Sequence, residues 1–244
     1  MKHIGHGWEP VISPTGEWVA WDDTAGVVTV LCVATGLTLS PPYIAGAGKR
    51  WVCGWLDTTH VGIVMSSRTL PDGGGPYVVF SMSVPLLSWT EIARLPLAWV
   101  DGVRVRVSKG HWAAACGQNA MIDGRLLPGV TSSRISLDWP DLVYPVMNAT
   151  GPGGVIERWQ GQTLLGRYPL RAMCGDINVC DGWAGYGYGE ARLLDLATGT
   201  DRDVALTSLP GKESGVWSHF VKQAQWVWSF RNSPTPLVMG RPMG

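Results

Sequence analysis

Residues 13–22 read SPTGEWVAWD, residues 31–36 read LCVATG, and far downstream residues 194–199 read LDLATG. The first stretch is a turn followed by a compact aromatic and β-branched run, Trp18 to Trp21, stopped by Asp22-Asp23. Residues 27–33 (VVTVLCV) form a continuous apolar run, long enough for a buried strand and too short for a typical helix. Ala34-Thr35-Gly36 is turn chemistry, with glycine supplying the positive φ, and Leu37 to Leu39 restarts an extended segment. Strand, turn, strand, turn, strand is a meander. Gly36 and Gly199 close the matching phrases 163 residues apart, which is four units of about 41 residues.

The same grammar runs through the chain. RWVCGWLD (50–57), HVGIVMSS (60–67), YVVFSMSV (77–84) and SWTEIARLP (88–96) are short strands with turn signals between them, DGGGP (72–76) the clearest. VRVRVS (103–108) alternates with period two, and further short strands follow to PLVMG near the end. No 12-residue stretch has a 3.6-residue period with caps, because glycine or proline interrupts nearly every candidate. A helical turn could fit only near residues 215–223.

The expected fold is therefore all-β. It is a β-propeller of four-stranded blades, six by this spacing with five as the competing count, in one domain spanning 1–244, its terminal segments pairing to close the ring. ISPTGEWVAWDD followed by VTVLCVATG resembles the WD-like and TolB-type propeller repeat, S-P-D-G-x-x-[IV]-A, a strand, then D-x-x-T-G. Thr15 stands where the pattern has Asp, and Cys32 where the second turn has Asp; Asp195 to Gly199 keeps that Asp. The resemblance implies fold and repeat architecture, and no single activity.

Composition narrows the function classes. Charged residues are only 16 %, and nineteen basic residues balance nineteen acidic ones. No net field draws the chain to nucleic acid or an anionic membrane, so no direct nucleic-acid binding is expected. The start, MKHIGHGWEPVIS, lacks an apolar run of signal-peptide length, and no segment approaches 18 consecutive apolar residues. The expectation is a chain with no membrane span, not exported by the general secretory route. The five cysteines (Cys32, Cys53, Cys116, Cys174, Cys180) fit neither a disulfide framework nor paired zinc knuckles. They read as buried free thiols, Cys32 among them, with a Cys174–Cys180 bridge the one open alternative.

The search for chemistry finds little. His3-Ile4-Gly5-His6 offers two imidazoles without a third ligand, and His60, His111 and His219 read as core or turn residues. Residues 176–182 (DINVCDG) superficially resemble a calcium loop but fail at the fifth, sixth and twelfth positions, so they read as strand and turn. Gly185 to Gly189 lacks a following helix, Gly211-Lys212 fails the phosphate-loop test, and no Gly-x-Ser-x-Gly occurs. Asp138, Asp141 and Glu157 could gather near a channel mouth as a glycosidase pair, although turn carboxylates are the plainer reading. No catalytic residue, cofactor or metal ligand is assigned.

Fourteen tryptophans remain. Trp21, Trp55, Trp99, Trp139 and Trp183 recur at gaps of 34, 44, 40 and 44 residues, a rhythm that suggests one packing slot per blade. Trp217, Trp226 and Trp228 exceed that need and are the candidate interface residues. The expected function is a non-enzymatic structural or interaction propeller in an assembly, a homo-oligomeric ring or a bacteriophage tail component such as a nozzle, hub or fibre adaptor. The chain resembles phage tail propellers loosely, in type alone. Such a protein would reside in the virion, or otherwise in the cytoplasm. The alternatives are a glycan- or small-ligand-binding or hydrolytic propeller using the channel mouth, and a cytosolic WD-type peptide-binding scaffold.

Overall fold

The computed structural model describes residues 2–23, 27–41, 47–67, 77–84, 86–96, 103–117, 119–127, 130, 134–147, 153–172, 174, 176–187, 191–204, 216–221, 225–230 and 236–240. Side chains within 216–240, and those of residues 2, 3, 6, 8, 47–49, 67, 147, 176, 191 and 204, lie outside the description.

Twenty-four strands, and no helix among the described residues, form six four-stranded antiparallel meanders. After β1 (Lys2–His6), blade 1 holds β2 (Trp8–Ile12), β3 (Trp18–Asp22), β4 (Val28–Cys32) and β5 (Thr38–Leu39). Blade 2 holds β6 (Ala47–Trp55), β7 (His60–Ser67), β8 (Tyr77–Ser83) and β9 (Ser88–Arg94). Blade 3 holds β10 (Arg104–Ser108), β11 (His111–Cys116), β12 (Asn119–Ile122) and β13 (Arg125–Leu127). Blade 4 holds β14 (Ser136–Asp138), β15 (Asp141–Met147), β16 (Gly154–Gln160) and β17 (Thr163–Pro169). Blade 5 holds β18 (Asp176–Cys180), β19 (Trp183–Gly187), β20 (Ala191–Asp195) and β21 (Asp201–Val204).

Blade 6 takes β22 (Val216–Val221), β23 (Gln225–Phe230) and β24 (Pro236–Gly240) from the end of the chain and its fourth strand, β1, from the start. Lys2 pairs with Met239 and His6 with Pro236, so the terminal segments close the ring, as the repeat spacing predicts. Residues 216–221 are therefore strand, where the sequence left room for a helical turn. The inner strands β2, β6, β10, β14, β18 and β22 touch in sequence around the axis, β22 returning to β2.

The strands read as unbroken apolar runs because each blade is buried on both faces. Side chains alternate between faces with period two. Ala114 packs into the core between blades 2 and 3, while Ala113 and Ala115 pack between blades 3 and 4. Leu142 likewise serves the core of blades 3 and 4, and Val143 that of blades 4 and 5. A single meander could bury only one such face, so stacking around an axis follows.

The repeated phrase occupies one structural place. In blade 1, Gly36 N donates to Cys32 O at 2.9 Å and Cys32 N to Leu37 O at 2.8 Å. In blade 5, Gly199 N donates to Asp195 O at 2.8 Å and Asp195 N to Thr200 O at 2.8 Å. Gly36 and Gly199 have φ of 75° and 74°, the region glycine enters without a Cβ clash. Asp195 Oδ1 also accepts the Ala197 and Thr198 amides at 2.8 and 3.3 Å. Cys32 holds the matching position, and its thiol is lowered from its ordinary value by the Thr35 hydroxyl, then the Thr35 amide. It ends β4 at the turn and is half-buried, not buried as its apolar neighbours suggest. All five cysteines are free thiols, so Cys174 and Cys180 are not bridged.

The tryptophan rhythm is not one packing slot. Trp21 and Trp55 are buried on β3 and at the end of β6, whereas Trp139 and Trp183 are half-buried beside the turns that leave β14 and β18. Trp99 lies outside the described residues.

Candidate functional site

The inner strands enclose a cavity of about 670 Å³ on the axis, lined by segments of β2, β6, β10, β14 and β18 and the turns that follow them. That volume lies within the roughly 300–1,000 Å³ of small-molecule sites. Its middle is largely apolar, with Val11, Val107 and Leu137, and its two ends are polar.

At the end where the inner strands begin, Glu9 of blade 1 reaches two guanidinium groups of blade 3. Arg104 donates to Glu9 Oε1, and Arg106 Nη1 lies 3.8 Å from Glu9 Oε2. Beside them, Asp22 is buried and accepts the Val52 amide at 3.0 Å. Burial, and then the Glu9 charge, push its carboxyl up to about 8.

At the other end the turns leaving the inner strands build an acidic rim. Lys109-Gly110 of blade 3 and Asp181-Gly182 of blade 5 are matching two-residue turns, both residues of each at positive φ. Blade 4 has the cis Trp139-Pro140 peptide in the same place. Lys109 Nζ lies 2.8 Å from Asp138 Oδ1 and donates to Trp139 O at 3.1 Å. Asp181 N donates to Asp138 Oδ2 at 2.6 Å. Asp138 thus ties three consecutive blades together. Asp57 joins the rim from blade 2; burial would raise its carboxyl, but the Thr59 amide and His60 hold it below the usual range.

Asp138, Cys180 and Asp181 bring one potential ligand atom each within 4.8 Å of one another. A cation there would have to displace the Lys109 ammonium and the Asp181 amide from Asp138, so this set fits a metal poorly. At mid-depth, Asn178 lines the cavity with 7 % of its surface exposed. Its neighbours Ile177 and Val179 both pack into the core of blades 4 and 5, so alternation turns Asn178 away from that core. Among the described residues its Nδ2 has no acceptor.

Of the three carboxylates considered as a glycosidase pair, Asp138 alone lines the channel. Asp141 is gripped by Arg158 through two contacts of 2.9 Å and by Gln160 at 3.0 Å. Glu157 is buried, where desolvation would raise it, but Tyr144, Trp159 and Arg167 hold it below its ordinary value. Both are structural members of blade 4 and form no acid–base pair with Asp138. His60 bonds Asp57, and His111 bonds Asp123 at 2.7 Å while stacking on Trp139, so both are turn residues. The DINVCDG segment is strand β18 and its turn, as read. Trp217 falls on β22, and Trp226 and Trp228 on β23; their side chains, with those of His3, His6 and His219, lie outside the described residues. Sequence reading missed Lys109 and Asp181 as a pair. The available signal was a residue-glycine turn after each of two inner strands, VRVRVSKG and DINVCDG.

Ring closure and an axial cavity define the class: a six-bladed β-propeller. Solved structures share the fold. An oligogalacturonate lyase in complex with manganese superposes with a TM-score of 0.60 at 12 % identity, covering 97 % of this chain and 77 % of the lyase. The oligogalacturonate lyase of Vibrio parahaemolyticus gives 0.57 at 8 % identity, over 96 % and 77 %. Pyrococcus horikoshii acylaminoacyl peptidase gives 0.60 at 11 % identity, over 96 % of this chain but 44 % of the peptidase. No protein-family model matches the chain, and no curated protein matches it. These similarities correct the expectation of a non-enzymatic protein, because the propellers this chain resembles belong to enzymes. They lend no support to a phage-tail component or a WD-type scaffold.

Proposed function

We propose that the chain binds a small polar substrate in its axial channel and serves an enzyme as its substrate-holding propeller. The observation that carries this reading is the cavity itself: apolar in the middle, polar at both ends, and lined by five inner strands. A propeller core held by interlocked blades is a rigid frame, and rigid frames position ligands at low entropic cost. The lyase and peptidase similarities support enzymatic use of such a fold without specifying a reaction.

The test is a thermal-shift screen of short peptides, neutral oligosaccharides and oligouronides, followed by mass spectrometry of incubated mixtures. One class should raise the melting temperature, since a ligand bound only to the folded state stabilises it by mass action. Thr58 is exposed at the rim and lines the cavity, so Thr58→Trp should remove that shift while leaving the unliganded melt in place. A ligand shift that persists unchanged in Thr58→Trp, or no shift from any class, refutes the channel as the site.

A further inference from the structure

Polar side chains of the channel wall are spent on one another. Trp55 Nε1 donates to Val11 O at 3.2 Å, Ser136 Oγ accepts Val179 N at 2.8 Å, and Ser108 Oγ accepts Trp139 N at 3.3 Å. Val11, Val107 and Leu137 line the cavity beside them, so a ligand held there gains chiefly by burying apolar surface. The rim is different. Asp181 is exposed in its turn, and among the described residues its carboxylate accepts no hydrogen bond. One oxygen of Asp181 lies within 4.8 Å of one of Asp138, a gap that a single ammonium spans at about 2.8 Å from each. The chain's own Lys109 shows that this rim receives an ammonium: its Nζ lies 2.8 Å from Asp138 Oδ1 and donates to Trp139 O at 3.1 Å. Asp57 adds a carboxylate from blade 2. The turn between β22 and β23, outside the described residues, reads KQA, and its one lysine still leaves these carboxylates in the majority. Walls of low polarity focus the field of such a rim into the channel mouth.

We infer that the channel takes an organic cation, a primary ammonium on an uncharged apolar body, with the ammonium against Asp181 at the rim and the body among Val11, Val107 and Leu137. This deepens the reading of the channel as the binding site and rests on it. An anion meets repulsion at the rim. A sugar finds the hydroxyls of Ser108 and Ser136 already engaged and gains little from the aliphatic wall. A bare metal ion makes no use of that wall, whereas an amine with an apolar body uses both parts of the site.

The decisive experiment is calorimetric titration of the intact chain with 4-phenylbutylamine, 4-phenylbutanol, 4-phenylbutyrate and 1,4-diaminobutane. The amine should bind, and the alcohol, its uncharged match, about tenfold or more weakly, as losing one charge-assisted contact does. The butyrate and the diamine, which lack the right charge and the apolar body respectively, should bind more weakly than the amine. These four ligands probe the wild-type chain, so the comparison does not depend on any variant folding. Asp181→Asn suits the turn, because asparagine also enters positive φ, and should reduce the amine to the affinity of the alcohol. Lys109→Met removes the competing ammonium and should tighten the amine while leaving the alcohol unchanged. Equal binding of amine and alcohol, tighter binding of the butyrate or the diamine, or an amine affinity that Asp181→Asn leaves unchanged overturns the inference. In each of those cases the channel reading stands if Thr58→Trp still removes the binding, and falls if it does not. If none of the four binds, the inference fails, and the channel reading is then judged by its own thermal-shift screen.

Discussion

Blades 2 and 3 meet differently from blades 4 and 5. Between blades 2 and 3 the backbones themselves approach: β6 and β10 pair in parallel at Val107–Gly54 and Ser108–Trp55, merging two blades into one eight-stranded sheet. Gly62, on the next strand, leaves room for Val107; a Cβ there would lie 2.4 Å from Val107 Cγ2 and 2.9 Å from Cys53 Sγ. Between blades 4 and 5, side chains reach across to backbone groups instead. Ser136 Oγ accepts Val179 N at 2.8 Å, Asp138 accepts Asp181 N, and Arg158 Nη1 donates to Leu196 O at 3.1 Å. The same radial joint is made once by close contact and once by a polar relay. The relay brings Asp138 and Asp181 together at the channel rim, where Lys109 of blade 3 meets Asp138.

Breaking the close contact should cost most. Gly62→Ala must push Val107 or the Cys53 thiol aside, and overpacking of this kind should lower stability by about 3 kcal/mol in urea unfolding. Gly124→Ala is the matched control. Nothing lies within 4 Å of its added Cβ, so its strain comes from φ of 80° alone, at about 1 kcal/mol. Equal losses for the two would mean that space is not what joins blades 2 and 3.

Asp22, at the joint of blades 1 and 2, mixes both solutions, because a carboxyl is buried to reach the Val52 amide. Its folded value of about 8 stands above the ordinary 3.8. Between those values the unfolded chain releases the proton and the folded chain keeps it, so the unfolded state binds fewer protons. Stability from this group is full below pH 4 and falls as pH rises toward 8. Asp22→Asn keeps an acceptor for Val52 and cannot ionise. It should be more stable than wild type by about 2 kcal/mol at pH 8.5 and unchanged at pH 4. Melting curves at the two pH values check this, and a difference that does not depend on pH contradicts it.

Removing one bond of the polar relay should cost less. Ser136→Ala strands the buried Val179 amide, for about 1.5 kcal/mol in urea unfolding. A loss below about 0.5 kcal/mol would show that Asp138 and Arg158 hold the joint without it. The smallest effect belongs to the turns, which both kinds of blade share. Cys32→Asp writes the blade 5 turn into blade 1, and it should change stability by no more than about 0.5 kcal/mol. It should also remove the fast-alkylating thiol that the Thr35 contacts create. A large stability change would place part of the difference between blades in their turns.

The repeat was legible because turns are local. SPTG and the two ATG phrases carry their own hydrogen-bond chemistry within four or five residues, so their spacing alone predicts blade size and ring closure. The unbroken apolar runs, such as VTVLC, likewise announce burial on both faces. The site was illegible for the opposite reason. Glu9 and Arg104 meet across 95 residues, and Asp138 and Asp181 across 43, distances over which a sequence records no geometry. Tryptophan spacing misled because a period near 40 says only that residues recur per blade, and turns of unequal length shift which strand receives them. The carboxylates misled because Asp141 and Glu157 lie on β15 and β16, away from the axis, where arginines neutralise them.

Sequence alone therefore determined the blade, its strand order and its closure, since each follows from contacts near in the chain or from period-two burial. Tertiary structure decided which side chains face the axis and which charges pair. Those outcomes depend on how six inner strands register around a common channel, and no local rule of the chain sets that register.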